Sequence, residues 1–137
     1  MPHLQPLWNA GPVVASHAIL AVAAFALGVW QLASRKGGRA HRLRGRAWVA
    51  LMLAVALSSL LISEIGTFGY FSWIHLLVPF TIGTLAYAFV ALRCGDVVGH
   101  GIAMSLLFAG ALVIAGAFTF LPYRVMNDVV TGRNLAD

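Results

Sequence analysis

No Asp, Glu, Lys or Arg precedes Arg35, and the stretch from Pro12 to Ala33 is apolar almost throughout. An α-helix rises about 1.5 Å per residue, so about 20 such residues cross the hydrocarbon layer of a bilayer. Three more apolar segments follow, from Ala47 to Ser63, from Ser72 to Leu92, and from Val97 to Leu121. The second is short for a span and stops at Glu64. Its helix is expected to continue back through Gly45 toward His41, with the arginines reaching out along their apolar stems. The first segment does not read as a secretory signal, because it lacks a basic leader and is too long for the apolar part of one.

Charge separates these segments into sides. Charged types make up 9% of the 137 residues and apolar types 61%, whereas a soluble domain carries about 25% charged residues. Six of the nine basic residues, Arg35, Lys36, Arg39, Arg42, Arg44 and Arg46, fall in the first connection. Arg93 marks the third, while the second, from Glu64 to Phe71, has none. A basic loop marks the cytoplasmic side, so loops one and three are placed inside and both termini outside. The net charge of +5 is therefore read as a topology signal, and no nucleic-acid partner is inferred. The fold class expected is all-α, an integral membrane four-helix bundle running up-down-up-down. Residues 1–11 form an outer tail, 12–121 the transmembrane domain and 122–137 a second outer tail. Val125, Met126, Val129 and Val130 form an apolar stripe at helical spacing in that tail.

Within this frame Trp8 and Trp73 fall at the outer interface and Trp30 and Trp48 at the inner one, as lipid-anchoring indoles do. Small residues four apart, Ala24 with Gly28, Ser105 with Ala109 and Ala111 with Ala115, predict faces where helices approach closely. The single cysteine, Cys94, excludes an internal disulfide and a cluster held by thiolates of one chain.

Four histidines stand at or near the helix starts: His17 and His75 on the outer side, His41 and His100 on the inner. They are 24 and 25 residues apart within each hairpin. Laying one hairpin on the other also sets Arg35 over Arg93 and Gly37 over Gly95. Two similar hairpins related by an axis along the membrane normal would bring His17 opposite His75 and His41 opposite His100. Facing imidazoles can ligate a haem iron from both sides, and bundle cores hold such cofactors. One or two b-type haems are expected on this reading, with Arg42 and Arg46 as forks for the propionates of an inner one. His17 has the strongest need for a partner, being deepest in its apolar segment. The bland alternative is that these histidines only hydrogen-bond, or contact lipid or quinone headgroups. His100 and Met104, four apart, share a helix face and could also suit copper(I).

The string His17, Gly28, Gln31, Lys36-Gly37, His41-Arg42-x-x-Gly45-Arg46, then Ile74-His75-Leu76, Gly95-Asp96, and His100 with Met104 resembles a family of bacterial inner-membrane proteins, domain of unknown function 2306. The resemblance covers about His17 to Leu121. It implies a bacterial inner-membrane protein with several spans and no established activity. The layout of four histidines on four helices is also similar to that of the transmembrane dihaem b-type cytochromes, by architecture alone.

Two functions from different classes follow. One is electron transfer by haem b between a quinol or other membrane redox protein and an outer acceptor. The other is a non-catalytic accessory subunit of a larger membrane complex. No nucleophile–base pair, paired carboxylates or phosphate loop supports a hydrolase, a kinase or a nucleotide-dependent enzyme. The charge asymmetry predicts that a reporter fused after Asp137 is active in the form that works only outside. A fusion active only in the cytoplasm would reverse the topology.

Overall fold

Polar residues in apolar helices, and glycines at their turns, set the arrangement seen in a computed structural model that describes residues 4–62, 76–121 and 125–131. The helices are α1 Gln5–Asn9, α2 Pro12–Ala33, α3 Arg39–Ser59, α4 Leu77–Arg93, α5 Val97–Leu107, a π-helical stretch Phe108–Ile114, α6 Ala115–Phe118 and α7 Val125–Thr131. There is no strand among the described residues. Pro12 suits the first turn of α2, where its missing N–H costs nothing. α3 starts at Arg39, so its basic first turns are helical as expected and its head stands ahead of the apolar stretch.

Two segments, Pro12–Ala33 and Val97–Phe118, are long and apolar enough to cross a membrane, and α4 is a shorter apolar helix of 17 residues. Most large apolar side chains of these helices point outward, among them Ile19, Val22, Phe89, Ile102 and Leu106. A core helix of a soluble protein would turn most of them inward.

α2 packs on α3, α3 on α4, α4 on α5, and the π-helical stretch returns to α2. The α4–α5 turn is closed by Gly95 at φ +80, with Gly95 N–H donating to Leu92 O and Asp96 N–H to Ala91 O. This is the paired 5→2 and 6→1 bonding of a Schellman turn, which needs a left-handed residue at that position. Asp96 then caps α5 by accepting from Gly99 N–H at 2.8 Å. Gly37, the residue that the repeat sets over Gly95, is also left-handed, at φ +85.

The interior is built around Ala24, Trp48, Met52, Leu107 and Leu112. Trp48 corrects the sequence expectation. It is 3% exposed and its indole Nε1–H donates to Ala24 O at 2.9 Å, so it ties α2 to α3 rather than anchoring in lipid. Gly28 makes that approach possible. A Cβ there would stand 2.6 Å from the Phe108 ring and 2.8 Å from Trp48 Nε1. Phe108 also stacks on Phe25 at 5.5 Å. Of the small-residue pairs, Ala24 with Gly28 is the buried one, and Ser105 and Ala109 face outward.

The fourth apolar segment is not one regular α-helix. Seven residues, Phe108–Ile114, run with π geometry. The extra residue per turn shifts the face presented downstream of Phe108, a change that apolar periodicity does not reveal. Met126 and Val129 of α7 pack with Leu7, Val14, Ala15 and Ala18, so these two residues of the apolar stripe cover α1 and the start of α2, while Val130 is exposed.

Gly28→Leu should lower the melting temperature of detergent-solubilised protein, since overpacking costs about 1–3 kcal/mol. Gly83→Ala, where an added Cβ meets nothing within 4 Å, should melt like the parent. Equal melting of the two variants would contradict the close α2–α3 approach.

Candidate functional site

Three of the four helix-leading histidines lie in described residues, and each bonds across its own hairpin. His17, in the second turn of α2, has Nδ1 2.8 Å from Ser58 Oγ on α3. The Ser58 hydroxyl also lies 3.0 Å from Val55 O; with its hydrogen on that bond, its oxygen accepts and His17 Nδ1 carries the hydrogen. Nε2 of His17 then keeps its lone pair. His75 lies outside the described residues, and with it the geometry of the expected outer pair.

At the other end, Gln31 on the last turns of α2 reaches the first turn of α3. Its amide Nε2 donates to His41 O at 2.8 Å and stands 2.9 Å from His41 Nδ1. The carbonyl contact fixes the amide orientation, because the Gln31 oxygen could not face another carbonyl oxygen. One N–H therefore goes to each partner, His41 Nδ1 accepts, and the His41 hydrogen sits on Nε2. Gly45 lies one turn on, where a Cβ would come within 3.3 Å of the Gln31 amide. Glycine there leaves the His41 carbonyl open. Gln31, His41 and Gly45 of the sequence string are thus one contact. Gln31 Oε1 is buried and has no hydrogen-bond partner among the described residues.

His100, in the first turn of α5, has Nδ1 2.9 Å from Ala88 O on α4. A carbonyl only accepts, so His100 Nδ1 carries its hydrogen and Nε2 is left with a lone pair. The cross-hairpin contacts run from the start of α2 to the end of α3 and from the end of α2 to the start of α3. They make α2 and α3 antiparallel.

His41 and His100 stand at one end of the molecule, close enough for their charges to oppose each other. His41 precedes the apolar stretch that begins at Ala47. Burial of its ring holds its pKa below the ordinary value, and the charges of His100, Arg44, Lys36 and Arg42 act in the same direction. Arg42 is exposed and donates to Gly37 O at 3.1 Å; Arg46 is exposed. Met104 packs against the interior cluster.

Sequence reasoning placed the histidines but gave no partner role to Gln31, Ser58 or Trp48. The available signal was polarity: Gln31 and Ser58 are hydrogen-bonding side chains set in apolar helices, where an unpaired polar group is costly.

The described residues thus define an all-helical protein with apolar helices of membrane-crossing length, its hairpins tied by histidines. The chain belongs to the DUF2306 family of predicted membrane proteins, whose profile matches residues 14–136. The match contains His17, Gln31, His41, Gly45 and His100. No curated protein and no solved structure is detectably similar to the chain, so the expected likeness to dihaem cytochromes finds no support there.

The lowered His41 pKa gives a signed pH response. Below about pH 6.5, the ordinary histidine value, the unfolded chain takes up a proton that the folded one resists, so stability falls as pH falls. Melting of the parent in detergent should drop from pH 7.5 to 5.5, and His41→Gln should flatten that slope. An unchanged slope would place the response on other groups.

Proposed function

We propose that this chain is an integral membrane four-helix up-down-up-down bundle of two similar hairpins in a bacterial inner membrane, with both termini outside. On this reading it carries electrons through one haem b held at the outer end by His17 and His75. The left-handed backbone of Gly37 and Gly95, positions that the repeat aligns, supports the two-hairpin reading. Outward apolar side chains on α2 and α5 support lipid contact.

The observation that carries the haem reading is the His17–Ser58 contact. A ligating histidine characteristically donates its other ring N–H to an acceptor, which fixes its tautomer and plane. His17 does this through Nδ1 and leaves Nε2 for iron. The inner pair does not meet the same test. His41 accepts at Nδ1 from Gln31 and so presents an N–H, not a lone pair, at Nε2. The proposal is therefore one haem, not two, and Arg42 and Arg46 are not assigned to propionates. Bound there, haem b supplies a one-electron iron couple. The part of this chain is to hold the His17 ring through Ser58. A quinol or another membrane redox protein is the donor class this implies.

Absorption spectra of protein purified after expression with ample haem supply test the proposal. Sharp bands on reduction are expected. His17→Ala and His75→Ala should each remove the same haem fraction, because six-coordinate iron needs both ligands, and His41→Ala should leave it. Protein that never acquires haem would sink the electron-transfer reading.

A second reading, the accessory subunit, has its own support. An open groove of about 310 Å³ between α4 and α5 has the small residues Gly83, Thr84, Gly99 and Ala103 in its lining, flanked by Tyr87, Ile102 and Leu106, and Ser105 and Ala109 also face outward. Such small-residue faces admit a partner helix. Co-purification of one stoichiometric membrane partner by haem-free protein would favour it.

A further inference from the structure

The basic end of the molecule carries charge that no acidic side chain among the described residues balances. Arg35, Lys36, Arg39, Arg42, Arg44 and Arg46 lie between α2 and the first turns of α3, and Arg93 ends α4. His41 and His100, which lead α3 and α5, lie near each other, so the two turns share this end. Asp96 is the acidic residue of these turns, and its carboxylate is occupied at the α5 cap. Of the other three acidic residues, Asp128 is buried in α7, beside α1, and Glu64 and Asp137 belong to other stretches of sequence.

The cations that make contacts make them to neutral oxygens. Lys36 Nζ reaches Leu32 O at 3.4 Å and Arg42 Nη1 reaches Gly37 O. Arg44 donates from Nε to Ala40 O at 3.3 Å and from Nη1 to Ser34 Oγ at 2.6 Å. Such contacts orient a guanidinium without neutralising it.

Two of these arginines are also placed on outward aromatic rings. The Arg44 guanidinium lies 4.9 Å from the Trp30 ring centroid, and that of Arg93 lies 5.2 Å from the Phe89 centroid. Trp30 is 61% exposed and Phe89 60%. Both rings stand at the ends of apolar helices, facing away from the bundle. Aromatic rings at that level sit at the boundary between acyl chains and headgroups. An arginine lying over such a ring is held at the depth of the phosphates, with N–H edges still free to donate to phosphate oxygens. Leu43, 69% exposed between Arg42 and Arg44, adds an apolar contact for the chains below.

We propose that this end is a binding site for anionic phospholipid of the surrounding leaflet, with the stacked Arg44 and Arg93 as the principal phosphate ligands. The other five cations raise the local concentration of negative headgroups. The proposal rests on the membrane reading above and is independent of haem.

The test is retention of lipid by purified protein in mild detergent, given equal amounts of phosphatidylglycerol and phosphatidylcholine and read by mass spectrometry. The parent should retain phosphatidylglycerol at least about 25-fold over phosphatidylcholine, from two arginines at about fivefold each. Arg44→Gln and Arg93→Gln should each reduce that ratio about fivefold, the effect expected of one basic residue near a charged surface. Arg35→Gln, lacking an aromatic platform, should reduce it less. High salt should weaken the preference by screening. Equal retention of the two lipids by the parent overturns the proposal without recourse to any variant. So does an undiminished ratio in Arg44→Gln/Arg93→Gln. Displacement of phosphatidylglycerol by inorganic phosphate beyond that caused by sodium chloride at equal ionic strength overturns it in favour of a soluble anion. Failure of the membrane reading would appear separately, as protein that stays soluble without detergent.

Discussion

The α2–α3 approach at Gly28 is the contact on which the remaining packing depends. In lipid, apolar side chains gain little by leaving their surroundings for one another, so helix association rests on close van der Waals packing and interhelical hydrogen bonds. Ala24 and Gly28 supply the closeness. Trp48 fills the space they leave and donates to Ala24 O, and Phe108 seals the other side of Gly28. A side chain at position 28 would displace both rings together. The π-helical stretch begins at Phe108, so the same contact stands where the fourth apolar segment changes its winding.

The histidines extend this principle to the ends of the hairpins. A polar ring inside or beside an apolar layer needs a partner, and each described histidine finds one on the adjacent helix. His41 and His100, equivalent in the repeat, both bond from the head of the second helix of a hairpin to the last turns of the first. They do so with opposite polarity. His41 accepts from a side-chain amide, whereas His100 donates to a main-chain carbonyl. Two hairpins that look alike in sequence therefore present different chemistry at the same end. That difference confines the haem proposal to the outer histidines, and leaves the arginines of the basic end free of a cofactor role and open to lipid phosphates.

Much of the helical layout was legible because length and polarity are one-dimensional properties. The uncharged run from Pro12 to Ala33 became α2 with those bounds, and the basic head of α3 was helical because arginine is a good helix former with a stem that can reach away from apolar surroundings. The correspondence of Gly37 with Gly95 reappeared as two left-handed turns, since glycine adopts that conformation at least cost. The stripe in the C-terminal segment became α7.

What the sequence determined by itself was where the long apolar helices run, which end is basic, and which residues are too polar to stand alone in an apolar helix. Tertiary structure alone decided which partner each of those residues meets. It turned Trp48 inward, because an indole at that height can serve lipid or interior equally well and only the bare Gly28 face opposite makes the interior close enough. It turned Ser105 and Ala109 outward, because small residues permit close approach without requiring it. It also decided what each imidazole meets across the gap, a hydroxyl for His17, an amide for His41 and a carbonyl for His100, which is invisible along the chain.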